Sequence, residues 1–297
     1  METINPNKCA PGKADDNGSC FTKELLVDII NIYNKLKPND TIDINGTKED
    51  ILKKLYEKTP QCNNEVCLLE KFENMTHEKI KERIDELFRP LGPKGREWLS
   101  TLDINKVVYQ YQAIHPKFLF LGTVPQDFME IPELAISNIN FDDYEKKGIT
   151  QLGLVINLDE SDQNGSHWVA LFVNLEKFQV YYFDSVGKKP ARKTSLFINK
   201  VVKWFYKKNF NKKLIINDLI KKGKKGKLSL EEKKTFLNIF DIRYNNIQHQ
   251  FKNSECGVYS ANFIIKMAEG KTFDDIINNI TDDDKMFLNR QVFFRNH

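Results

Sequence analysis

The sequence predicts an α+β fold in which a small helical region comes before a central mixed β-sheet flanked by helices. Two observations lead to this prediction. Before residue 90, apolar residues recur every three or four positions, which is the spacing of one helix face. Between residues 153 and 183, apolar residues instead form short runs rich in β-branched and aromatic side chains, as buried strands do.

The N-terminal helices are predicted from their apolar faces and their boundary residues. Segment 21–36 carries leucine, isoleucine and tyrosine on one face. Segment 47–50 has the Thr-x-x-Asp pattern of a capping box, which predicts that a second helix begins there. A third apolar stripe, 80–88, stops at Pro90 because proline cannot continue a helix.

A boundary between two regions is predicted at 91–95, where glycine and proline separate two periodic segments. The first twenty residues contain several prolines and glycines without periodicity, as an extended arm would. We therefore predict a helical N-terminal arm region at 1–95 and a core at 96–297, with a Lys-rich insertion at about 207–234.

The predicted sheet is built from the runs 153–158, 168–173 and 178–183 and from an alternating pattern at 240–247. The second and third runs are separated by a short polar connection, which predicts a hairpin. A helix is predicted at 194–206 from its apolar spacing, and a buried helix at 256–268, with Cys256 in its first turn and Gly270 at its end.

Composition is typical of a globular chain, with 40% hydrophobic and 29% charged residues. No apolar run approaches the roughly 20 residues needed to cross a bilayer, so we expect no membrane-spanning segment. The N-terminus lacks the basic and then apolar layout of a secretory signal. We therefore expect a reducing compartment, in which free thiols persist.

The chain has five cysteines, an odd number that leaves at least one unpaired in any disulfide scheme. Cys256 is the natural candidate for the unpaired one. The other four could suggest a zinc site, but four residues separate Cys62 from Cys67 and no pair of histidines follows them. A structural zinc site is therefore the less favoured interpretation.

Positive charge is concentrated in one stretch, although the formal net charge of the chain is only +4. The stretch from Lys207 to Lys234 contains five Lys-Lys pairs, a pattern compatible with binding nucleic acid. A solvated helical insertion has the same pattern. The sequence leaves both interpretations open.

A candidate nucleophile is Cys256. A thiol attacks carbonyls well only as the thiolate, which a nearby imidazolium and the positive end of a helix favour. Cys256 has access to a helix N-terminus, and Gly257 after it would let a substrate backbone approach closely because it has no side chain. In isolation, however, a cysteine in a buried helix is more often a small hydrophobic residue.

The candidate base and its orienting carboxylate are His167 and Asp184. His167 stands at the start of a predicted strand, and Asp184 ends the next one, 17 residues further on. A hairpin would bring both to the same side of the sheet, where a carboxylate can bind one ring nitrogen and orient the other. Taken singly, an exposed loop histidine and a turn-forming aspartate are the simpler interpretations.

Gln250 is the candidate oxyanion donor, since it precedes Cys256 by six residues and its amide could act together with the Cys256 backbone N–H. Gln248 competes for this role. His249 is a rival base, although its position on the same loop as the nucleophile makes it a less natural partner than His167.

Together these residues resemble the ubiquitin-like-protein-specific (Ulp/sentrin) cysteine peptidases, a family related to adenovirus protease. The matching motifs are Trp98-Leu99, His167-Trp168, Tyr-Tyr-Phe-Asp-Ser at 181–185 and Gln-x5-Cys-Gly at 250–257. The resemblance is strongest to the core-polyprotein proteases of large DNA viruses, African swine fever virus among them. One departure is Asp184, where that viral branch has Asn and the wider family has Asp.

The resemblance implies a papain-like Ulp-type core and a cysteine endopeptidase that cuts Gly-Gly-Xaa in viral core polyproteins during virion maturation. It implies a catalytic set of Cys256, His167, Asp184 and Gln250. Trp168 and Trp98 would be the walls of a narrow substrate cleft, and no metal or organic cofactor is required. The implied location is the virion and the host cytoplasm, in the viral factory.

Two other functions stay open. Ubiquitin-like modifiers also end in Gly-Gly, so the resemblance equally implies a deubiquitinase or deSUMOylase acting on such a protein. From a different class, a nucleic-acid-binding virion protein would use Lys207 to Lys234 as its contact with DNA.

Overall fold

The structure is a computed structural model that describes residues 5–72, 77–208, 221–222, 225–227, 229–232 and 240–297. The chain forms two compact units. The first comprises Met1–Gly95 and Leu288–His297, and the second comprises Arg96–Phe287. Helices and a mixed sheet are both present, so the predicted α+β class is confirmed.

The longer described helices of the first unit are α1 (Lys23–Leu36), α2 (Lys48–Lys58), α3 (Glu65–Phe72) and α4 (Glu78–Leu87), and the short helix Arg290–Phe293 also lies in this unit. The capping box predicted at the start of α2 is confirmed, since Thr47 and Asp50 each bind the other's backbone N–H. The apolar faces of α1 to α4 meet in one core, with Leu25, Ile51 and Ile84 almost fully buried.

Four cysteines of the first unit are paired as Cys9–Cys20 and Cys62–Cys67, and Cys256 is the free cysteine. Cys256 is thus the unpaired one, as predicted. Two disulfides were not expected, because disulfides are rare in the reducing compartment that the N-terminus predicts. The described residues contain no cluster of three His, Cys, Asp or Glu side chains that could hold a metal ion.

The last ten residues, Leu288–His297, belong to the first unit, whereas the predicted division assigned them to the core. Hydrogen bonds explain this difference. The backbone N–H of Arg295 donates to Pro90 O, and its guanidinium donates to Arg89 O at 2.8 Å. The Asn296 amide and the Gly92 backbone exchange two further bonds.

The second unit is organised on a five-stranded sheet with strands in chain order, β1 (Phe118–Pro125), β2 (Gln151–Asn157), β3 (Trp168–Asn174), β4 (Gln179–Phe183) and β5 (Asp241–Tyr244). The outer pairs, β1 with β2 and β4 with β5, are parallel, and the inner pairs are antiparallel. The predicted hairpin between β3 and β4 is confirmed. All seven residues of β3 are buried, so this strand is covered on both faces.

The longer helices of the second unit are α5 (Thr101–Gln112), α7 (Arg192–Lys208) and α8 (Cys256–Ala268), and a short α6 spans Phe141–Lys146. One sheet face packs against α7 through Phe197 and Phe205. The other packs against α8, whose Phe263 ring stacks on Phe183 at 4.9 Å. The predicted helix at 256–268 is confirmed with the same bounds.

Short helices at Phe273–Asn278, Asp283–Leu288 and Arg290–Phe293 follow α8. In the part of the chain that the structure describes, no helix is both long and apolar enough to span a bilayer. The predicted Lys-rich insertion, 207–234, lies largely outside the described residues.

The close approach of α8 to the sheet requires glycine at position 153 of β2. We expect Gly153→Ala to lower the free energy of unfolding by about 1–3 kcal/mol through overpacking. A Cβ there would lie 2.7 Å from Ile264 Cγ2 and 2.8 Å from Phe118 Cε2. Urea denaturation measures the change. Gln151→Ala on the same strand is the control and should stay within about 0.5 kcal/mol of the unaltered protein; an equal result for both variants would contradict this packing argument.

Candidate functional site

The β3–β4 hairpin brings His167 and Asp184 together at one end of these two strands. Ala170 pairs with Phe183, so the residue before β3 and the residue after β4 lie at the same end. His167 Nε2 lies 2.7 Å from Asp184 Oδ1, and the carboxylate is fully buried. A short contact of this kind at a buried carboxylate orients the imidazole.

Asp184 is itself held by its neighbours. Its Oδ1 also accepts from the Val186 backbone N–H at 2.9 Å. The buried Asn245 side chain binds the Asp184 backbone twice, accepting from its N–H and donating to its carbonyl, both at 2.8 Å. Asn245 follows β5 directly, so its carboxamide extends the β4–β5 pairing by one residue. Sequence reasoning included Asn245 in a strand and missed this role.

Cys256 is the first residue of α8, and its side chain is 3% exposed. Its thiol lies beside the His167 side chain and is one of the groups that raise the pKa of this imidazole. The structure therefore brings together the three residues that the sequence analysis selected as nucleophile, base and orienting carboxylate.

The pKa of His167 reflects opposing effects. Burial lowers it, but hydrogen bonds to Asp184 and Cys256, together with the negative charges of these groups, outweigh burial and raise the pKa from 6.5 to about 9. An imidazolium is therefore favoured at neutral pH, beside the sulfur and at the positive end of α8.

Gln250 is buried on the loop that leads to α8. Its Oε1 accepts from the Ser185 hydroxyl at 2.6 Å, and its Nε2 donates to Lys252 O at 2.6 Å. The rival donor, Gln248, uses its amide to bind the Gln250 backbone carbonyl. Gln250 is thus the glutamine with the more enclosed side-chain amide.

The rival base, His249, is 2% exposed and its ring packs edge-on against Phe183 and Tyr259. Burial lowers the pKa of His249, so this imidazole is favoured in the neutral form. Its surroundings are those of a core residue, and the only described histidine bonded to the Cys256 side chain is His167.

Acidic side chains anchor the loop between Gln250 and Cys256. The buried Asp283 accepts from the backbone N–H groups of Phe251 and Lys252 at 2.8 and 3.0 Å. Glu255, fully buried, lies 3.8 Å from the guanidinium of Arg96. Sequence reasoning did not find these residues, since their acidic side chains look like ordinary surface residues until the fold buries them.

A cavity of about 620 Å³ is lined by Trp98, Ser166 and Trp168, the last two being the chain neighbours of His167, whereas His167 and Cys256 do not line it. Trp98 is 51% exposed, so it is not a core residue. Trp168 is buried, and its indole N–H donates to Leu99 O at 2.9 Å. Their role as cleft walls stays a prediction.

The prediction that Gly257 makes room for a substrate backbone stays a prediction, and the packing of α8 gives another reason for a glycine at this position. A Cβ at Gly257 would lie 3.0 Å from Leu99 Cβ, 3.2 Å from Trp168 Cδ1 and 3.3 Å from Ile104 Cδ1. The missing side chain therefore lets α8 pack closely against the entry to α5 and against Trp168. Gly257 thus helps to position α8, the helix that begins at Cys256.

Residues 154–297 match the family model described as the Ulp1 protease family, C-terminal catalytic domain. The chain is 34% identical to a protein of Acanthamoeba polyphaga mimivirus named as a thiol protease, over 98% of this chain and 94% of that protein. It is 20% identical to the SUMO-1 cysteine protease of African swine fever virus, over 99% of this chain and 97% of that protein.

A crystal structure of an African swine fever virus protease has a similar fold, with a TM-score of 0.63 at 19% identity. The similarity covers 99% of this chain and 97% of that one. Family model, viral relative and fold agree, so this chain belongs to the Ulp1 family of cysteine proteases.

Proposed function

We propose that the protein is a cysteine endopeptidase whose reaction is carried by Cys256, His167, Asp184 and Gln250. The observation that supports this most is the continuous contact from the Asp184 carboxylate through the His167 ring to the Cys256 thiol. A carboxylate, an imidazole and a thiol in this order form the set used for acyl transfer by cysteine proteases.

In the proposed reaction, the Cys256 thiolate attacks the substrate carbonyl while His167 carries the proton. His167 then gives this proton to the leaving amine and later takes one from the water that hydrolyses the acyl-enzyme. Asp184 holds the ring and stabilises the imidazolium. The Gln250 amide and the Cys256 backbone N–H bind the oxyanion of each tetrahedral intermediate.

The proposed substrate is a polyprotein strand of the form Gly-Gly-Xaa, cut after the second glycine. A cleft bordered by two indoles would favour residues without side chains, and Trp98 and Trp168 line the same cavity as Ser166, the residue before His167. The two relatives are viral proteases that span nearly all of this chain. By analogy we propose a viral core polyprotein as substrate, processed during virion maturation in the virion and host cytoplasm.

A second candidate substrate is a ubiquitin-like modifier, favoured by the name of the African swine fever virus relative as a SUMO-1 cysteine protease. Modifiers of this type and polyprotein sites share Gly-Gly, so the site alone accepts both. Two probes separate them: a Gly-Gly-Xaa peptide and a ubiquitin-like protein with an electrophile at its C-terminus. Labelling of Cys256 by the second probe at a rate far above that of a matched peptide electrophile would favour the modifier.

We expect Cys256→Ala to abolish cleavage of a Gly-Gly-Xaa peptide, because the nucleophile is lost. The activity of His167→Ala should fall to a similar level, since the losses caused by substituting residues that act as a unit are not additive. Cleavage is measured by chromatography of the two products. Ser195→Ala on α7 is a control that should cleave normally. Near-normal cleavage by Cys256→Ala would refute the proposed function.

We expect Gln250→Ala to lower kcat by about 10²–10³-fold, the usual cost of losing one oxyanion donor. Gln248→Ala is the matched control on the same loop and should lose much less, because its amide bonds a backbone carbonyl. Steady-state kinetics of both variants give the comparison. Equal losses would contradict the assignment of Gln250 as the donor.

We expect Asp184→Asn to shift the alkaline limb of kcat/KM from about pH 9 toward 6.5, since the lost charge is one cause that raises the pKa of His167. Asn keeps an oxygen that can accept from the imidazole. In the unaltered protein, the raised pKa also stabilises the fold below about pH 6.5, and this contribution is lost as pH rises through about 9.

The pH profile of kcat/KM between pH 5 and about 10 checks this shift. Asp274→Asn is the control, because its exposed carboxylate pairs with Arg243 and lies on the short helix Phe273–Asn278. An alkaline limb that stays at the same pH in Asp184→Asn would show that the carboxylate does not set the protonation of His167.

A further inference from the structure

Ser185 is a buried residue, 1% exposed, that the proposed mechanism does not use. It lies directly after Asp184 in the chain. Its backbone carbonyl accepts from the N–H groups of His249 and Gln250 at 2.8 and 2.9 Å. Its hydroxyl donates to Gln250 Oε1 at 2.6 Å. Ser185 therefore contacts Gln250 through both backbone and side chain.

The two bonds of the Gln250 side chain determine which way its amide faces. Nε2 can only donate, so it faces the Lys252 carbonyl, and Oε1 at the other end accepts from the Ser185 hydroxyl. A rotation of the amide by 180° would bring Oε1 against Lys252 O, an acceptor against an acceptor. In the observed orientation, Nε2 keeps a second N–H that is free of both partners.

The second contact of this amide is also held in place. Lys252 belongs to the short segment whose backbone N–H groups bind the buried Asp283 carboxylate. Gln250 is thus enclosed between the end of β4 on one side and an anchored loop on the other. The Lys252 carbonyl, which can only accept, selects which end of the amide faces it. Among the described contacts, the Ser185 hydroxyl is the one side-chain group that then holds the opposite end, Oε1, in place.

We propose that Ser185 is a positioning residue that holds the Gln250 amide with its second N–H toward the oxyanion. This inference rests on the proposed role of Gln250 as the oxyanion donor. Two adjacent residues at the end of β4 would then support two different catalytic groups. Asp184 orients the base, and Ser185 orients the donor that stabilises the intermediate.

The test is a double-mutant cycle of Ser185→Ala and Gln250→Ala, measured as kcat and KM on a Gly-Gly-Xaa peptide. Ser185→Ala should lower kcat roughly 10- to 100-fold with little change in KM, since small misplacement of a catalytic group has costs of this size. In the Gln250→Ala background, the same change should have almost no effect. Multiplied losses in the double variant would overturn the proposal.

A second measurement tests whether Ser185→Ala acts on the oxyanion donor or on the reactivity of the nucleophile. Alkylation by iodoacetamide forms a bond from the Cys256 sulfur to a saturated carbon as iodide leaves, so it needs the thiolate but no oxyanion donor. Ser185→Ala should keep the alkylation rate within about twofold of the unaltered protein while peptide cleavage falls. A parallel fall in both rates would assign Ser185 to support of Asp184 and His167 and overturn the proposal.

Controls distinguish a failure of the role proposed for Ser185 from a failure of the proposed peptidase function. Ser195→Ala removes another partly buried hydroxyl, which bonds only a helix carbonyl, and should leave both rates unchanged. If Ser185→Ala does not fold, Ser185→Cys keeps a weaker donor of similar size and should lose less kcat than Gln250→Ala; an equal or larger loss would count against the proposal. Cleavage by Cys256→Ala would instead refute the proposed function itself.

Discussion

The arrangement of the site depends on the register between β3 and β4. Ala170 opposite Phe183 brings the residues just outside the two strands, His167 and Asp184, to the same end of these strands. A shift by one residue would turn every side chain of a strand to the opposite face. Since β3 is buried on both faces, such a shift would force each of its side chains into packing shaped for a different one. Core packing therefore enforces the geometry of the imidazole and its carboxylate.

The nucleophile is positioned by a different constraint, the close packing of α8. This helix is buried along most of its length, and it approaches β2 at Gly153 and the start of α5 at Gly257. At neither glycine could a larger residue enter without displacing a neighbour. The two contacts fix the N-terminus of α8, and with it the sulfur of Cys256, relative to the end of the strands that carries His167.

Much of this fold could be predicted from the sequence, because its helices and strands have clear periodicity and its capping residues are conventional. The juxtaposition of Cys256, His167 and Asp184 could also be anticipated, since a hairpin and a helix start place them. The supporting residues could not. Ser185, Asn245 and Asp283 are polar types that normally form turns or lie at the surface, and only tertiary contacts show what they bind. For Gly257, the sequence could not distinguish room for a substrate from room for a neighbouring helix.

The membership of the last ten residues in the first unit has a consequence for how the chain acquires its structure. The first unit is discontinuous, with residues 96–287 inserted between its two segments. During synthesis, α1 to α4 emerge first, but the residues that bind Arg89, Pro90 and Gly92 emerge only after residues 96–287. The N-terminal unit is therefore completed only after the sheet-bearing unit has left the ribosome.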